Sequence, residues 1–292
     1  MLDRGKLYNE LKPLLLSLAY HTMGSIAEAE DIVHDVFLLW EEKPPLQVRD
    51  AKAYLCKMVH NRCVDYIRSP RRDRETYVGP WLPEPIDTTY VQESDPMESI
   101  VWKESLSTAG LLLLQQLSAT ERIVFLLHEV FHYRFDEISE IVDKSTVNCR
   151  QIFHRAKKSL GQLPERSPEV IEKKTALAER FAEALMTANI ELLIELLSSE
   201  TVLYQDGGGK VKAALRPIKG SDVIIRFFVA VAPEFPPGYR CVACEINGMP
   251  GIRLVIGEIT FAVVTFDYLD DQLSNVYVVM NPEKLAHLNR MK

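Results

Sequence analysis

Residues 117–160, LSATERIVFLLHEVFHYRFDEISEIVDKSTVNCRQIFHRAKKSL, carry helix punctuation that narrows the fold more than any other stretch. Ser118 followed three residues later by Glu121 is a capping box, which marks a helix start. Ile123, Val124, Leu127, Val130 and Phe131 then recur at three-and-four spacing and predict one packed apolar face. A short helix with Ile138, Ile141 and Val142 follows. After the polar turn Asp143-Lys144-Ser145 a third helix begins, with Ser145 as its cap. On that helix Cys149, Ile152, Phe153, Ala156 and Leu160 share one side and leave Thr146, Asn148, Arg150, Gln151, His154, Arg155, Lys157 and Lys158 outward. Asn and Gln pair bidentately with adenine, Arg pairs with guanine and Lys meets phosphate, so the outward set suits a helix laid in the major groove. A solvated helix of an ordinary bundle has the same periodicity, and the rest of the chain must separate the two readings.

The chain has 292 residues, 47% of them hydrophobic, enough for two or three domains with real cores. Its net charge of -7 argues against indiscriminate coating of nucleic acid, so DNA contact must come from local basic faces. No run reaches the roughly 18 apolar residues of a bilayer span, and MLDRGKLYNELK lacks the apolar core of a signal peptide, so a cytoplasmic location is expected. Five cysteines without framework spacing fit reduced thiols there.

The first block reads as wholly helical. Leu7, Leu11, Leu14, Leu15 and Leu18 form a stripe. Ser25 and Glu28 form a second capping box that opens a helix in which Ile32, Val33, Val36, Phe37, Leu39 and Trp40 are apolar and Glu28, Asp31 and Asp35 point outward. Pro44-Pro45 ends it. Asp50 caps the next helix, AKAYLCKMVHNRCVDYIR, which stops at Ser69-Pro70. Lys52, Lys57, Arg62 and Arg68, continued by Arg71, Arg72 and Arg74, make this helix and its tail basic, with Tyr54, His60, Asn61 and Tyr66 interleaved. Residues 70 to 100 are proline-rich and read as an extended linker, interrupted by WLPEP at 81–85. A Trp-Leu pair between prolines is costly to leave in water, so Trp81 and Leu82 are expected to anchor on a neighbouring domain.

From about residue 169 the pattern changes to α+β. Helices are expected around Leu177 to Leu197 and Ser221 to Ala232. RCVACEI, IRLVIG, ITFAVVTFDYL and NVYVVM then read as strands, mutually antiparallel and curved around a helix.

The order of these pieces resembles a bacterial RNA polymerase sigma factor of the extracytoplasmic-function type over residues 1 to 163. WLPEP in the linker, DGGGK at 206–210 and NPEKL at 281–285 resemble the group with a C-terminal SnoaL-like extension. Glu283 stands where that group usually has Asp. The resemblance implies two all-α sigma domains, the second a helix-turn-helix, plus a C-terminal α+β cone of the NTF2-like, SnoaL-like kind. Its limits would be 1–75 for region 2, 76–100 for the linker, 101–163 for region 4 and 169–292 for the regulatory domain. It implies that Asp31, Ile32, Asp35, Val36, Phe37 and Trp40 meet core RNA polymerase, with the clamp and flap as the polymerase regions touched. Lys57, His60, Asn61, Arg62, Asp65, Arg68, Arg71 and Arg72 would bind the -10 element of promoter DNA. Ser145, Thr146, Asn148, Arg150, Gln151, His154, Arg155 and Lys158 would bind the -35 element. Regulation within the chain would run through Trp81, Leu82, Pro83, Glu84 and Pro85, through Asp206, Gly207, Gly208, Gly209 and Lys210, and through Asn281, Pro282, Glu283, Lys284 and Leu285.

No catalytic residue, cofactor, metal site or membrane partner is expected. The competing reading is a SnoaL-like isomerase, cyclase or ligand sensor fused to a helix-turn-helix regulator. It would use Tyr204, Asp206, Asp267 and Tyr268 inside the cone, and an unidentified small ligand there stays open. DGGGK lacks P-loop spacing and reads as a glycine-rich turn or a domain contact. Cys241 and Cys244 have zinc-knuckle spacing without a second pair, and strand alternation sends them to opposite faces.

Overall fold

The structure, a computed structural model, describes residues 4–42, 50–69, 77–89, 106–161 and 167–289. In chain order the helices before the sheet are α1 (Arg4–Met23), α2 (Ile26–Glu42), α3 (Ala51–Arg68), α4 (Thr108–Leu114), α5 (Ala119–Phe125), α6 (Phe135–Val142) and α7 (Thr146–Leu160). Contacts divide the chain into two compact units. The first comprises Met1–Thr76, Gln92–Leu106 and Gly110–Leu163, and the second comprises Tyr77–Val91, Ser107–Ala109 and Pro164–Lys292.

Helix starts in the first unit follow their caps. Asp50 Oδ1 accepts the amides of Lys52 at 2.9 Å and Ala53 at 3.1 Å. Ser25 Oγ accepts from the Glu28 amide at 3.3 Å, and the Glu28 carboxylate is taken by the Tyr66 hydroxyl at 2.9 Å. Ser118 and Glu121 make the reciprocal box, and Ser145 Oγ accepts from the Asn148 amide at 3.2 Å. The helix that opens at Ser118 departs from expectation at its far end. α-Helical geometry stops at Phe125 and Leu126–Val130 form a π-helical turn, with the Phe131 amide donating to Leu126 O at 2.9 Å. Six consecutive residues, Arg122 to Leu127, are buried there. One face of a regular helix does not bury six in a row, so spacing alone could not show this wider turn.

Phe153 of α7 fixes the helix-turn-helix core, with ring centroids 6.0 Å from Phe125, 5.6 Å from Phe135 and 4.5 Å from His128. Within the same unit α3 packs on α6 and α1 packs on α5. Arg122 staples that junction: its buried guanidinium donates to the carbonyls of Thr22 at 2.8 Å, Gln115 at 2.8 Å and Leu117 at 3.0 Å. Three charge-assisted bonds offset the cost of burying a cation.

The second unit is built on α8 (Pro168–Thr187), α9 (Ile190–Leu196), α10 (Ser221–Val231) and a six-stranded sheet, ending in the short helix α11 (Pro282–Leu285). The strands are β1 (Leu197–Asp206), β2 (Ile218–Lys219), β3 (Arg240–Ile246), β4 (Met249–Ile256), β5 (Ile259–Leu269) and β6 (Gln272–Val279), in spatial order β2-β1-β6-β5-β4-β3. Four of these are the strands expected. β1 was not among them, and it pairs parallel to β6, so the sheet is mixed. Register shifts at Leu254/Val255 and Asp267/Tyr268 bend the two long strands, as bulges do. Phe181 of α8 is fully buried in the hollow, edge-on to Phe266 at 5.0 Å and to Phe228 at 6.0 Å. Burial of each such ring contributes roughly 1.5–3 kcal/mol, which anchors the helices inside the curved sheet.

Candidate functional site

On α7 the split between faces is complete. Cys149, Ile152, Phe153, Ala156 and Leu160 are buried, Thr146 is half-buried, and Ser145, Asn148, Arg150, Gln151, His154, Arg155, Lys157 and Lys158 are exposed. Two of the cations are already engaged: Lys157 pairs with Glu129 at 3.0 Å, and Arg155 approaches Glu121 at 3.9 Å. Arg150 lies over the Phe135 ring at 5.8 Å. Val147, absent from the expected set, is 62% exposed in the first turn. A β-branched apolar side chain left in water among polar neighbours was visible in the sequence as the one outward position that helix solubility does not explain.

α3 presents Asn61, Asp65 and Arg68 to solvent and leaves Lys57 and Arg62 half-buried, whereas Arg71 and Arg72 lie outside the described residues. His60 stands inside, 7% exposed, instead of on the outward face. Its Nδ1 bonds Asn61 Oδ1 at 3.1 Å, and its Nε2 is buried with no partner among the described residues. Burial lowers the His60 pKa, with Lys144, Lys57 and Arg68 pushing the same way and Asn61 opposing. The cover comes from the helix-turn-helix. Lys57 reaches Asp143 at 3.9 Å, Cys56 Sγ lies 3.8 Å from the Tyr133 hydroxyl, and Lys52 sits 4.7 Å from the Tyr133 ring centre. On α2, Asp31 and Asp35 are exposed, but Ile32, Val36, Phe37 and Trp40 are buried in the helical core and do not form a surface. The apolar residue that does share the outer face with the two acids is Leu38, 44% exposed. Spacing of four and three from Asp31 through Asp35 to Leu38 was the available signal.

In the second unit the three short motifs converge on one carboxylate. Asp206, at the end of β1, is fully buried. Its Oδ2 accepts from the Leu82 amide at 2.8 Å and pairs with Lys284 Nζ at 2.8 Å. Its Oδ1 accepts from the Tyr77 hydroxyl and, at 3.1 Å, from the Gly208 amide. The Lys284 ammonium, itself 7% exposed, also donates to Leu82 O and lies 4.4 Å from the Trp81 ring centre and 4.8 Å from that of Tyr77. Burial, then the bond to Asp206, raises the Tyr77 phenol above its ordinary range and keeps it a donor. Asn281 caps α11 through the Glu283 amide and donates to the Tyr77 hydroxyl at 3.0 Å. Lys210 reaches Glu283 at 3.0 Å across an exposed rim, a pair worth under about 1 kcal/mol.

The glycines are required by contact. A Cβ on Gly207 would lie 2.7 Å from Val211 O, and one on Gly208, at φ +58°, would lie 2.2 Å from Asn281 Nδ2. DGGGK is therefore a tight turn against NPEKL, at the start of the connection from β1 to its antiparallel neighbour β2. Leu82, Pro83, Glu84 and Pro85 are all buried, Trp81 is half-buried, and Leu285 is buried beneath α11 while Pro282 is exposed. Downstream, Asp87 bridges to Ile246 and pairs with Arg253 at 2.9 Å. Thr88 donates its amide to Glu245 O at 2.7 Å, Ile86 and Asn247 exchange bonds at 3.0 and 2.8 Å, and His287 Nε2 bonds Pro85 O at 2.7 Å. Residues 77–89 are thus held along their length in what is here termed the clasp. Tyr77, Asp87, Asn247, Arg253 and His287 carried no local pattern that marked them, because each acts through a partner far away in sequence.

The residues expected to serve an enzyme are each taken up by other partners. Asp206 is consumed by the clasp, Tyr268 donates to Lys174 O and Pro250 O at 3.4 Å each, Asp267 accepts from Asn275 at 3.4 Å, and Tyr204 stacks on Tyr277 at 5.4 Å. Cys241 and Cys244 sit on opposite faces of β3, their thiols pushed up by burial to about 11 and about 12. Among the described residues no cluster of His, Cys, Asp and Glu could hold a metal ion, and no helix is long and apolar enough to cross a membrane.

Comparison with known proteins adds the following. Residues 7–73 match the family model of Sigma-70 region 2, and residues 111–160 match that of Sigma-70 region 4. The ECF RNA polymerase sigma factor SigJ of Mycobacterium tuberculosis is 29% identical over 96% of this chain and 92% of its own length. The probable ECF RNA polymerase sigma factor SigI of the same organism is 24% identical over 94% of this chain and 92% of its own length. The crystal structure of M. tuberculosis SigJ matches with a TM-score of 0.75 and 26% identity, covering 96% of this chain and 98% of that one.

Proposed function

Because this chain belongs to the sigma-70 family, as an extracytoplasmic-function sigma factor with a SnoaL-like domain behind its two sigma regions, we propose that it carries core RNA polymerase to promoters under the control of its own clasp. The observation that carries the reading is the α7 face, where polar and basic side chains stand outward over a closed apolar core. Asn148, Arg150 and Gln151, in the first turns, read base edges of the -35 element, and Lys158 and Arg155 meet phosphate. The outer ridge of α2, Asp31, Asp35 and Leu38, docks on the polymerase clamp. Ile32, Val36, Phe37 and Trp40 hold that ridge in place from beneath. Lys57, Asn61, Arg62, Asp65 and Arg68 contact the -10 element, with Arg71 and Arg72 continuing the basic tail.

In the packed first unit His60 and part of Lys57 lie under the helix-turn-helix, which supports a resting form unable to read the -10 element. Polymerase binding separates the sigma domains and lets two weak DNA contacts act as one strong contact. The clasp controls this step by fixing residues 77–89, which lie in the connection between the sigma regions. RNA synthesis is the polymerase's chemistry, the protein itself is not an enzyme, and its place is the cytoplasm. The test is in vitro transcription with core polymerase over a promoter library, comparing the full chain with versions ending at Leu163 and at Asn275. Sequence-specific initiation that changes on truncation supports both parts. Failure of all three folded versions to initiate overturns the sigma reading, and identical output from all three overturns control by the C-terminal domain.

A further inference from the structure

A cavity of about 440 Å³ opens between the helices and the concave face of the sheet, apart from the clasp itself. Its walls are Phe181, Phe227, Phe235, Phe261, Leu254 and Met280 with smaller aliphatic residues between them. The size and the apolar lining are those of small-molecule sites. Charge in the lining is confined to Lys212 and Glu234, which pair with each other at 2.6 Å and are largely exposed. An ionised ligand group would find no partner deeper in, and burying it unpaired is costly. One polar group faces the apolar walls: Gln205 accepts the Ala214 amide at 2.9 Å on its Oε1, and its amide NH₂ has no other hydrogen bond among the described residues. A single donor in an apolar chamber selects a neutral molecule with one carbonyl or hydroxyl oxygen.

The lining is also continuous with the clasp. Gln205 immediately precedes Asp206, Val211 to Ala214 follow Lys210, and Met280 precedes Asn281. The Met280 and Asn281 amides both donate to Asp206 O, at 2.8 and 2.9 Å. A molecule in the cavity would therefore rest on both chain segments that hold Asp206 in place. We propose that this cavity binds an uncharged, largely apolar ligand of two to three rings or equivalent bulk, without chemical change, and that its occupancy tightens the clasp on residues 77–89. The ligand adds contacts to the turn that positions Asp206, so the clasped form binds it better. Reciprocity then requires that loosening the clasp weaken the ligand by the same factor. This inference stands on the cavity geometry and does not draw on the promoter role, since binding is measured without polymerase.

The probe is N-phenyl-1-naphthylamine, a neutral aromatic whose emission rises in apolar surroundings, titrated into the full chain. Saturable binding at one site is expected, weakened at least tenfold by Val231→Trp, which fills the cavity from α10. Leu185→Trp fills it from α8 and serves if the first variant does not fold, as judged by circular dichroism. At saturation, hydrogen exchange in residues 77–89 should slow at least threefold, and Asp206→Asn should weaken the probe by a matching factor. Binding that does not saturate, or that both filling variants leave unchanged, overturns the site. Saturable, variant-sensitive binding with unchanged exchange overturns the coupling to the clasp.

Discussion

Replacing Asp206 by Asn tests the clasp at its centre. The carboxylate is fully buried and receives the Tyr77 hydroxyl, the Leu82 and Gly208 amides and the Lys284 ammonium. Every partner is a donor, so an amide brings its own NH₂ against one of them. It also takes from the Lys284 cation its buried carboxylate, while the contacts to Leu82 O and two aromatic faces remain. Removing one member of a buried ion pair costs about 3–5 kcal/mol, most of it the uncompensated charge. The clasp can escape that cost by letting go of residues 77–89. Exchange of the Leu82 amide, followed by mass spectrometry of peptides from 77–89, should therefore accelerate by roughly a hundredfold to a few thousandfold, at about 1.4 kcal/mol per decade. Adding Lys284→Met removes the stranded charge and should recover most of that loss, because the pair as a unit is worth far less than either broken half. Acceleration below about tenfold in the single variant, or a double variant as fast as the single, would refute the reasoning.

Three other outcomes follow from the same geometry. Burial holds the folded pKa of His60 below its unfolded value, so the folded form binds fewer protons and the stability His60 confers is complete above the unfolded pKa of roughly 6.5 and is lost as pH falls below it. Urea unfolding of the full chain at pH 7.5 and 5.5 should show a loss of up to about 1.4 kcal/mol per unit that is smaller in His60→Gln, and equal slopes would count against it. On the proposed -35 role, Val147, exposed in the first turn of α7, meets a thymine methyl, so changing one -35 thymine to deoxyuridine should weaken binding about fivefold for the natural chain and not for Val147→Ala. If no thymine position shows this difference, Val147 does not read the groove. Lys158 has no ion pair among the described residues whereas Lys157 is held by Glu129, so Lys158→Ala should lower the slope of log affinity against log salt by about 0.9, and Lys157→Ala by less. Equal slopes for both variants would show that the Glu129 pair opens on DNA.

The parts legible in the sequence are those governed by local rules. Ser118, Asp50 and Ser145 cap helices because a side-chain oxygen within three residues of an orphan amide needs no tertiary help. The faces of α7 follow from period alone. What the sequence hid depends on packing between distant segments. Phe37 and Trp40 match the apolar stripe of any amphipathic helix, and nothing local distinguishes a stripe that covers a core from one that awaits a partner. His60 sits on the basic side of α3, yet it is buried where a helix and turn some eighty residues away pack on α3. LSSETVLYQD lacks clean alternation, and β1 becomes a strand because β6 and β2 flank it on both edges. DGGGK and NPEKL were recognisable as motifs, but that both serve one carboxylate became clear only from their meeting in space.

That one carboxylate also sets how strongly the clasp can act. Releasing residues 77–89 gives up the charge-assisted bonds from Tyr77 and the Leu82 amide to Asp206 and from Lys284 to Leu82 O, each worth roughly 1.5–3 kcal/mol, so a partner that needs the segment free binds at least about tenfold more weakly. On the proposed sigma role, such a factor would lower promoter output. The factor is also small enough for polymerase and promoter contacts to overcome, since each well-formed bidentate base pair contact supplies about 1–3 kcal/mol. An apolar patch of equal strength would have no such sensitivity. Removal of either Asp206 or Lys284 strands the charge of the other, so the clasp fails sharply when the pair is broken. The turn that fixes this geometry, with three glycines and no Cβ to spare against Asn281, continues directly into the wall of the apolar cavity.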